Sequence, residues 1–239
     1  MPRNARLVDP GRPFHVTQRG NRHVDVFLTP EDRTVYLDLM RHQLADAEVS
    51  VLAFCLMTNH VHWLVVPNRP DSLAVLFRRV HGRYAQYFNA RCGFDGHLWQ
   101  GRFYSCVVSP DALTTAIRYV EFNPVRAGIV DRPDCYTWSS AAEHLTGRFA
   151  DNSLLDKGFY QRCGGTETWA ELLNSASPSE AEEHQFRRCT YAGRPFGNEA
   201  FLSDVEHRFD RKWKRWPYQK SEPCRHPQAS TGCRGSRRW

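Results

Sequence analysis

Lysine, paired cysteines and long apolar runs are all scarce in this chain, and each shortage removes a class of protein. Eight cysteines stand at positions 55, 92, 106, 135, 163, 189, 224 and 233 without one Cys-x-x-Cys pair, so the spacing of zinc ribbons is missing. No stretch approaches the roughly 18 apolar residues of a membrane span. Met1 to Arg12 is polar and basic, without the apolar centre of a secretion signal. A cytoplasmic protein with reduced thiols and no membrane partner is expected. There is no Gly-x-x-x-x-Gly-Lys-Ser/Thr loop, so nothing points to chemistry driven by a nucleoside triphosphate. Of 32 cationic side chains only four are lysine and 28 are arginine. Arginine forks match phosphate oxygens in pairs, and a GC-rich genome yields the same bias with no physical cause.

At 239 residues, 41% hydrophobic and 13% aromatic, the chain can fill one ordinary core and carry an extension. A formal charge of +6 favours a polyanionic partner such as nucleic acid. Phe14 to Arg19 alternates like a strand and stops at Gly20-Asn21. Thr29-Pro30-Glu31-Asp32 opens a helix running to about Ala47: Thr caps, Pro fits the first turn, and the acids meet the positive end of the helix dipole. Val49 to Met57 and His60 to Val66 read as a hairpin closed at Thr58-Asn59. Asp71-Ser72 begins a second helix, with Leu73, Leu76, Phe77, Val80, Tyr84, Tyr87 and Phe88 at helical spacing. Gly101 to Val108 reads as a fourth strand. Ser109-Pro110-Asp111 caps a third helix that ends near Asn123-Pro124, because proline disfavours helical geometry in the residue before it. This order predicts a ferredoxin-like α+β sandwich, a four-stranded antiparallel sheet with flanking helices. Beyond about residue 150 the strand signals fade. Residues 151 to 216 read as a mostly helical, basic C-terminal extension, and 217 to 239 as a basic disordered tail.

The chemistry-bearing signal is Asn59-His60-Val61-His62. Strand side chains alternate between faces, so His60 and His62 share one and Val61 takes the other. Two adjacent imidazoles can hold a metal ion, although two partly buried polar side chains are the plainer explanation of a lone His-x-His. In the third helix Ala112, Leu113, Ala116, Ile117 and Val120 form the inward stripe. Tyr119 falls at the edge of that stripe with Asn123 as its i+4 neighbour, so both can look onto a sheet face.

Asn59 to His62, Trp99-Gln100-Gly101-Arg102-Phe103, and Tyr119 with Asn123-Pro124-Val125-Arg126-Ala127 together resemble the single-tyrosine HUH transposases of the IS200-like family. Within it the chain resembles the REP-associated tyrosine transposases, through a Pro-Arg-x-Ala-Arg opening at Pro2 to Arg6 and the Thr-Tyr-x-Gly-Arg-Pro-Phe-Gly segment at Thr190 to Gly197. The likeness runs from Met1 to about residue 205. It implies an HUH endonuclease fold over residues 1 to 150, with 151 to 216 as an accessory DNA-binding region. It implies that His60, His62 and Asn123 hold a divalent metal, Mg2+ or Mn2+, beside a phosphodiester, and that Tyr119 is the nucleophile. All three ligands are neutral, so the ion keeps its double charge to polarise the phosphate. Imidazole suits manganese on ligand softness, whereas cellular abundance favours magnesium. A free tyrosine titrates near about 10, so it needs a proton acceptor. The implied product is a 5′-phosphotyrosine with a free 3′-hydroxyl, which conserves the energy of the phosphodiester. The implied substrate is single-stranded or hairpin DNA at repetitive extragenic sequences. The family contains monomers and dimers with swapped tyrosine helices.

Several side chains are candidates for DNA contact. Arg78, Arg79 and Arg83 on the second helix suit a DNA backbone or an ordinary solvated face. Trp99, Gln100, Arg102 and Tyr104 lead into the strand expected to border the site and suit unpaired bases. Arg126 belongs to the family motif, and Arg187, Arg188 and Arg194 lie in a basic, turn-rich segment. Arg211 to Trp216 then interleaves cations with aromatics. His15 and Gln18 on the first strand are candidates to lie near the site, with no face assigned from sequence. Two other readings stay open: a metal-dependent nuclease that uses water, with Tyr119 structural, and a sequence-specific DNA-binding protein without activity.

Overall fold

The computed structural model describes residues 6–174 and 179–213. Pro2 to Ala5 of the opening motif, Lys214 to Trp216 of the basic patch, and the expected disordered tail from Pro217 lie outside the described residues. Four strands, β1 (Phe14–Arg19), β2 (Val49–Leu56), β3 (His60–Pro67) and β4 (Tyr104–Val107), form an antiparallel sheet in the order β2-β3-β1-β4. Helices α1 (Pro30–Ala47) and α2 (Ser72–Cys92) pack on one face and α3 (Leu113–Glu121) on the other. This is the expected ferredoxin-like sandwich. The start of α1 is set as its sequence dictates. Asp32 N–H donates to the Thr29 hydroxyl at 3.4 Å, and the Asp32 carboxylate accepts from Thr29 N–H at 2.9 Å. The same buried carboxylate meets Arg91 at 2.8 Å and ties the start of α1 to the end of α2.

One boundary differs from expectation. Strand β4 is shorter than the run from Gly101, because Gly101 takes a φ of 74°, which a strand does not continue. The third helix ends as expected just ahead of Asn123-Pro124, at Glu121. After Phe122 the chain makes one more turn, α4 (Asn123–Arg126), with Pro124 in its first turn where no N–H is needed.

Alternation along β3 sends Val61, Trp63 and Val65 into the α1/α2 core and leaves His60, His62 and Leu64 on the α3 face. Strand β2 pairs Val51 with Val65 but Ala53 with Leu64, so Leu52 is an extra residue. This bulge shifts the alternation, and Val51 before it and Phe54 after it both reach the α1/α2 core.

Beyond α4 the chain returns to both edges of the sheet. Ser139 bridges Cys55 and Leu155 pairs with Val51 along β2, while Phe196 pairs with Val108 just past β4. Helix α5 (Ala141–Thr146) precedes the expected helical extension, which contains α6 (Lys157–Arg162), α7 (Gly165–Asn174), α8 (Glu180–Ala192) and α9 (Glu199–Arg208). Helix α8 leans on β4 and β1. Gly197 lets the backbone after α8 close on Ser109, whose side chain would stand 2.6 Å from a Cβ at that position.

Beneath α3, one oxygen of the fully buried Glu121 accepts from Ser140 Oγ at 2.6 Å and from His144 Nδ1 at 2.5 Å. The pair of bonds anchors α3, just past Tyr119, to α5. Glu121→Ala leaves His144 Nδ1 unpaired in the core, with only the Phe54 carbonyl at 3.3 Å left to Ser140 Oγ, and is expected to cost about 3 kcal/mol. The measurement is the urea midpoint; a loss below about 1 kcal/mol would show that the network does not hold α3.

Candidate active site

On the α3 face the rings of His60 and His62 stand edge to face, with centroids 4.9 Å apart. The Tyr119 ring reaches down from α3 to 5.6 Å from that of His62. His62 lies mid-sheet, opposite Thr17 on β1 and Cys55 on β2, and half-buried His60 opens the strand. A fourth ring, His15 of β1, lies nearly parallel to that of His62 with centroids 5.2 Å apart, and meets Tyr119 edge-on at 5.6 Å.

Hydrogen bonds assign the proton on His60. The Asn59 amide nitrogen donates to the His23 carbonyl at 3.2 Å, so its oxygen faces His60 Nδ1, 2.6 Å away, and accepts that ring proton. The Nε2 lone pair of His60 is therefore free. Burial pushes His60 down to about 3, helped by Arg19, Arg187 and His23, and pushes His62 well below the usual histidine range, helped by His60 and His15. Both rings are neutral at pH 7, the form that ligates metals.

Asn123 donates through Nδ2 to the carbonyls of Tyr119 and Val120 at 2.8 and 3.2 Å, which leaves its oxygen as the atom to offer a cation. Among the described residues no three His, Cys, Asp or Glu side chains gather as a metal-binding group. A cation at the histidine pair would need neutral oxygens, of the kind Asn123 carries, or a phosphate. Two neutral imidazoles and an amide oxygen fit Mn2+ or Mg2+ on these terms.

Tyr119 is 7% exposed and lies beneath α8. Phe186 meets its ring at 4.8 Å, and the Arg126 guanidinium sits 4.4 Å over it while donating to its carbonyl at 2.7 Å. Glu183 holds Arg126 at 3.0 Å. Burial raises the phenol above its usual range, opposed by Arg126 and by Arg187, which hydrogen-bonds to it. The hydroxyl thus keeps its proton at pH 7, and two cations stand where phenoxide charge would form.

The model of the IS200-like transposase family matches residues 13–123, from the start of β1 to Asn123. Over residues 13–123 the chain is similar to the IS200-like transposases. That span contains His15, His60, His62, Tyr119 and Asn123. Among solved structures, a REP-associated tyrosine transposase bound to a REP hairpin is 19% identical with a TM-score of 0.52, over 66% of this chain and 93% of that one. The likeness is one of fold. A candidate transposase from Deinococcus radiodurans R1 is 17% identical, over 51% of this chain and 96% of its own, with a TM-score of 0.36. No curated protein shows significant similarity to the chain. Among the described residues no helix is long and apolar enough to cross a membrane.

The arginines expected to touch DNA fall in separate places. Arg126 and Arg187 stand at Tyr119. Arg78, Arg79 and Arg83 are exposed on α2, across the sheet from the histidines, and Arg79 meets Asp46 at 3.5 Å. Gln100 and Arg102, both exposed, line a cavity of about 350 Å3 beside β4 together with Tyr104 and Tyr191. Arg188 is half-buried, and Arg194 is buried where its backbone N–H closes the α8 cap on Cys189. Trp99 is a core residue and not a stacking platform. A bridge to Gly20 draws it inward, its Nε1 donates to the His81 carbonyl at 3.0 Å, and its ring packs on Tyr36 and Tyr84. Gln18 faces the α2 side and donates to the Gly101 carbonyl. His15, by contrast, belongs to the site. Its even spacing from Thr17 along β1 was the available signal, but only the β1–β3 register puts Thr17 opposite His62.

Burial holds both His15 and His81 down at about 3. Folded and unfolded chains alike keep these rings neutral above about pH 6.5. Below it the unfolded chain takes up protons that the folded chain refuses until about 3, so this stability is lost as the pH falls. With chelator present, the urea midpoint is expected to drop from pH 7 to pH 5, with each ring contributing about 1.4 kcal/mol per pH unit. A flat midpoint over that range would show that the rings are charged in the fold.

Proposed function

We propose that this chain cleaves and rejoins single-stranded DNA at hairpins of the repetitive extragenic kind through a covalent link to Tyr119. The observation that carries this is the meeting of Tyr119 with His60 and His62 on one sheet face, among rings held neutral by burial. In the cleavage step Tyr119 Oη attacks phosphorus, the P–O3′ bond breaks, the phenol proton passes to water or phosphate, and the departing 3′ oxygen takes one up. The products are a 5′-phosphotyrosine and a 3′-hydroxyl. Attack by another 3′-hydroxyl reverses the step, and no nucleotide cofactor is consumed.

His60, His62 and Asn123 would hold Mg2+ or Mn2+, which when bound supplies a Lewis acid and a template for the phosphate. Arg126 and Arg187 favour phenoxide over phenol as the proton leaves. Residues 151 to 216 act as an accessory region: α8 brings Arg187 to the nucleophile, and Tyr191 closes the cavity beside Gln100 and Arg102, which suits an unpaired base. Arg78, Arg79 and Arg83 suit backbone phosphates of the hairpin stem. The REP hairpin bound by the solved relative supports this class of substrate.

Incubation with a labelled hairpin oligonucleotide and Mn2+ should give an adduct that survives a denaturing gel. Tyr119→Phe should retain hairpin binding and lose the adduct by at least about 10^3-fold. Cleavage undiminished by that change would transfer the role of nucleophile to water. His60→Ala and His62→Ala should each lower the rate by about 100-fold or more, whereas full wild-type activity in excess chelator would take the metal out of the reaction.

A further inference from the structure

The proton on a metal ligand is set by the hydrogen bond that its other ring nitrogen makes. For His62 that bond leads away from residues 13–123 into the C-terminal extension. His62 Nδ1 lies 2.9 Å from His15 Nε2, and His15 Nδ1 lies 2.8 Å from Thr190 Oγ1 on α8. All three side chains are buried, and His15 and Thr190 are 175 residues apart in sequence.

A hydroxyl has one proton to give and two lone pairs. Thr190 Oγ1 gives its proton to the Phe186 carbonyl, one turn earlier in α8, at 3.1 Å. It therefore receives from its other neighbours, His15 Nδ1 at 2.8 Å and Cys106 Sγ at 3.3 Å, which fills both lone pairs. With its proton on Nδ1, His15 has only a lone pair at Nε2. The 2.9 Å contact with His62 then requires that His62 carry its own proton on Nδ1. The Nε2 of His62 is left bare, matching the bare Nε2 that Asn59 sets on His60. The opposite orientation of the chain would put a proton on His62 Nε2 and close it to a cation, and it would leave the Phe186 carbonyl without this donor.

We infer that Thr190 and His15 are positioning residues that fix His62 in its metal-binding tautomer, with the Phe186 carbonyl of α8 giving the relay its direction. The inference rests on the metal site proposed for His60, His62 and Asn123. It gives the Thr190 segment a task in the chemistry of a domain whose family match ends at Asn123.

Long-range 1H–15N correlation on the histidine rings of full-length, metal-free protein reads the relay without DNA or activity. Wild-type protein should show His15 and His62 both protonated at Nδ1. The near-isosteric Thr190→Val should move the His62 proton to Nε2 and weaken Mn2+ binding, read by calorimetry, by about 10- to 100-fold. Thr190→Ser, which keeps the hydroxyl, should restore both. Wild-type protein that binds Mn2+ but carries its His62 proton on Nε2 would overturn the relay alone. So would a Thr190→Val protein with unchanged tautomers and unchanged Mn2+ affinity. Wild-type protein that takes up no Mn2+ would overturn the metal site and the relay together.

Discussion

The register of β1 against β3 is the constraint on which the site depends. Thr17 lies opposite His62 and Arg19 opposite His60. A slip of one residue would turn both histidines into the α1/α2 core and expose Val61, Trp63 and Val65 to the other face. Those three side chains are completely buried, and Trp63 packs on Phe54 at 5.2 Å and on Tyr36 at 6.2 Å. Each such side chain contributes about 1.5–3 kcal/mol by leaving water, so the apolar face alone rules out the slip. The histidine face is the obligatory reverse of that apolar face. Its imidazoles carry the cost of burial as depressed proton affinity.

The other half of the site arrives late in the chain. Helix α8 lays Phe186 against both Tyr119 and His15 and ties Arg126 through Glu183. Its Thr190 closes the hydrogen-bond chain behind His62. Helix α3 is held from below by Glu121 and α5. The tyrosine is therefore clamped on two sides by segments that follow it in sequence, and its surroundings are a product of the whole described chain.

The main elements were legible because their signals are local. The Thr29-Pro30-Asp32 cap, the alternation of His60 and His62, and the helical stripe that leaves Tyr119 at its edge each occupy a few consecutive residues. What was not legible depends on pairing at a distance. The all-apolar run Val49 to Met57 hides the bulge at Leu52, since no polar residue marks a face. His15 looked like any strand histidine until its register was known, and Thr190 like any helical threonine. Trp99 sits between Leu98 and Gln100 in a loop without periodicity, and nothing local marks the bridge that buries it. Arg194 reads as a surface cation in a basic segment, yet the turn after α8 folds it inward. Net charge and local composition do not distinguish such an arginine from one that faces a phosphate.

The return of the chain to both rims of the sheet has a consequence for assembly. Along β2, backbone groups at Val51, Phe54 and Leu56 already bond to Asp156, Ser140 and Trp138, and past β4 those of Val107 and Ser109 bond to Phe196. A strand from another molecule would find these donors and acceptors spent. Two copies of this chain could merge their sheets along β2 only by displacing these segments, and along β4 they would first have to peel away Phe196 and the glycine packed on Ser109. At these positions the sheet that carries the histidines is closed by its own chain.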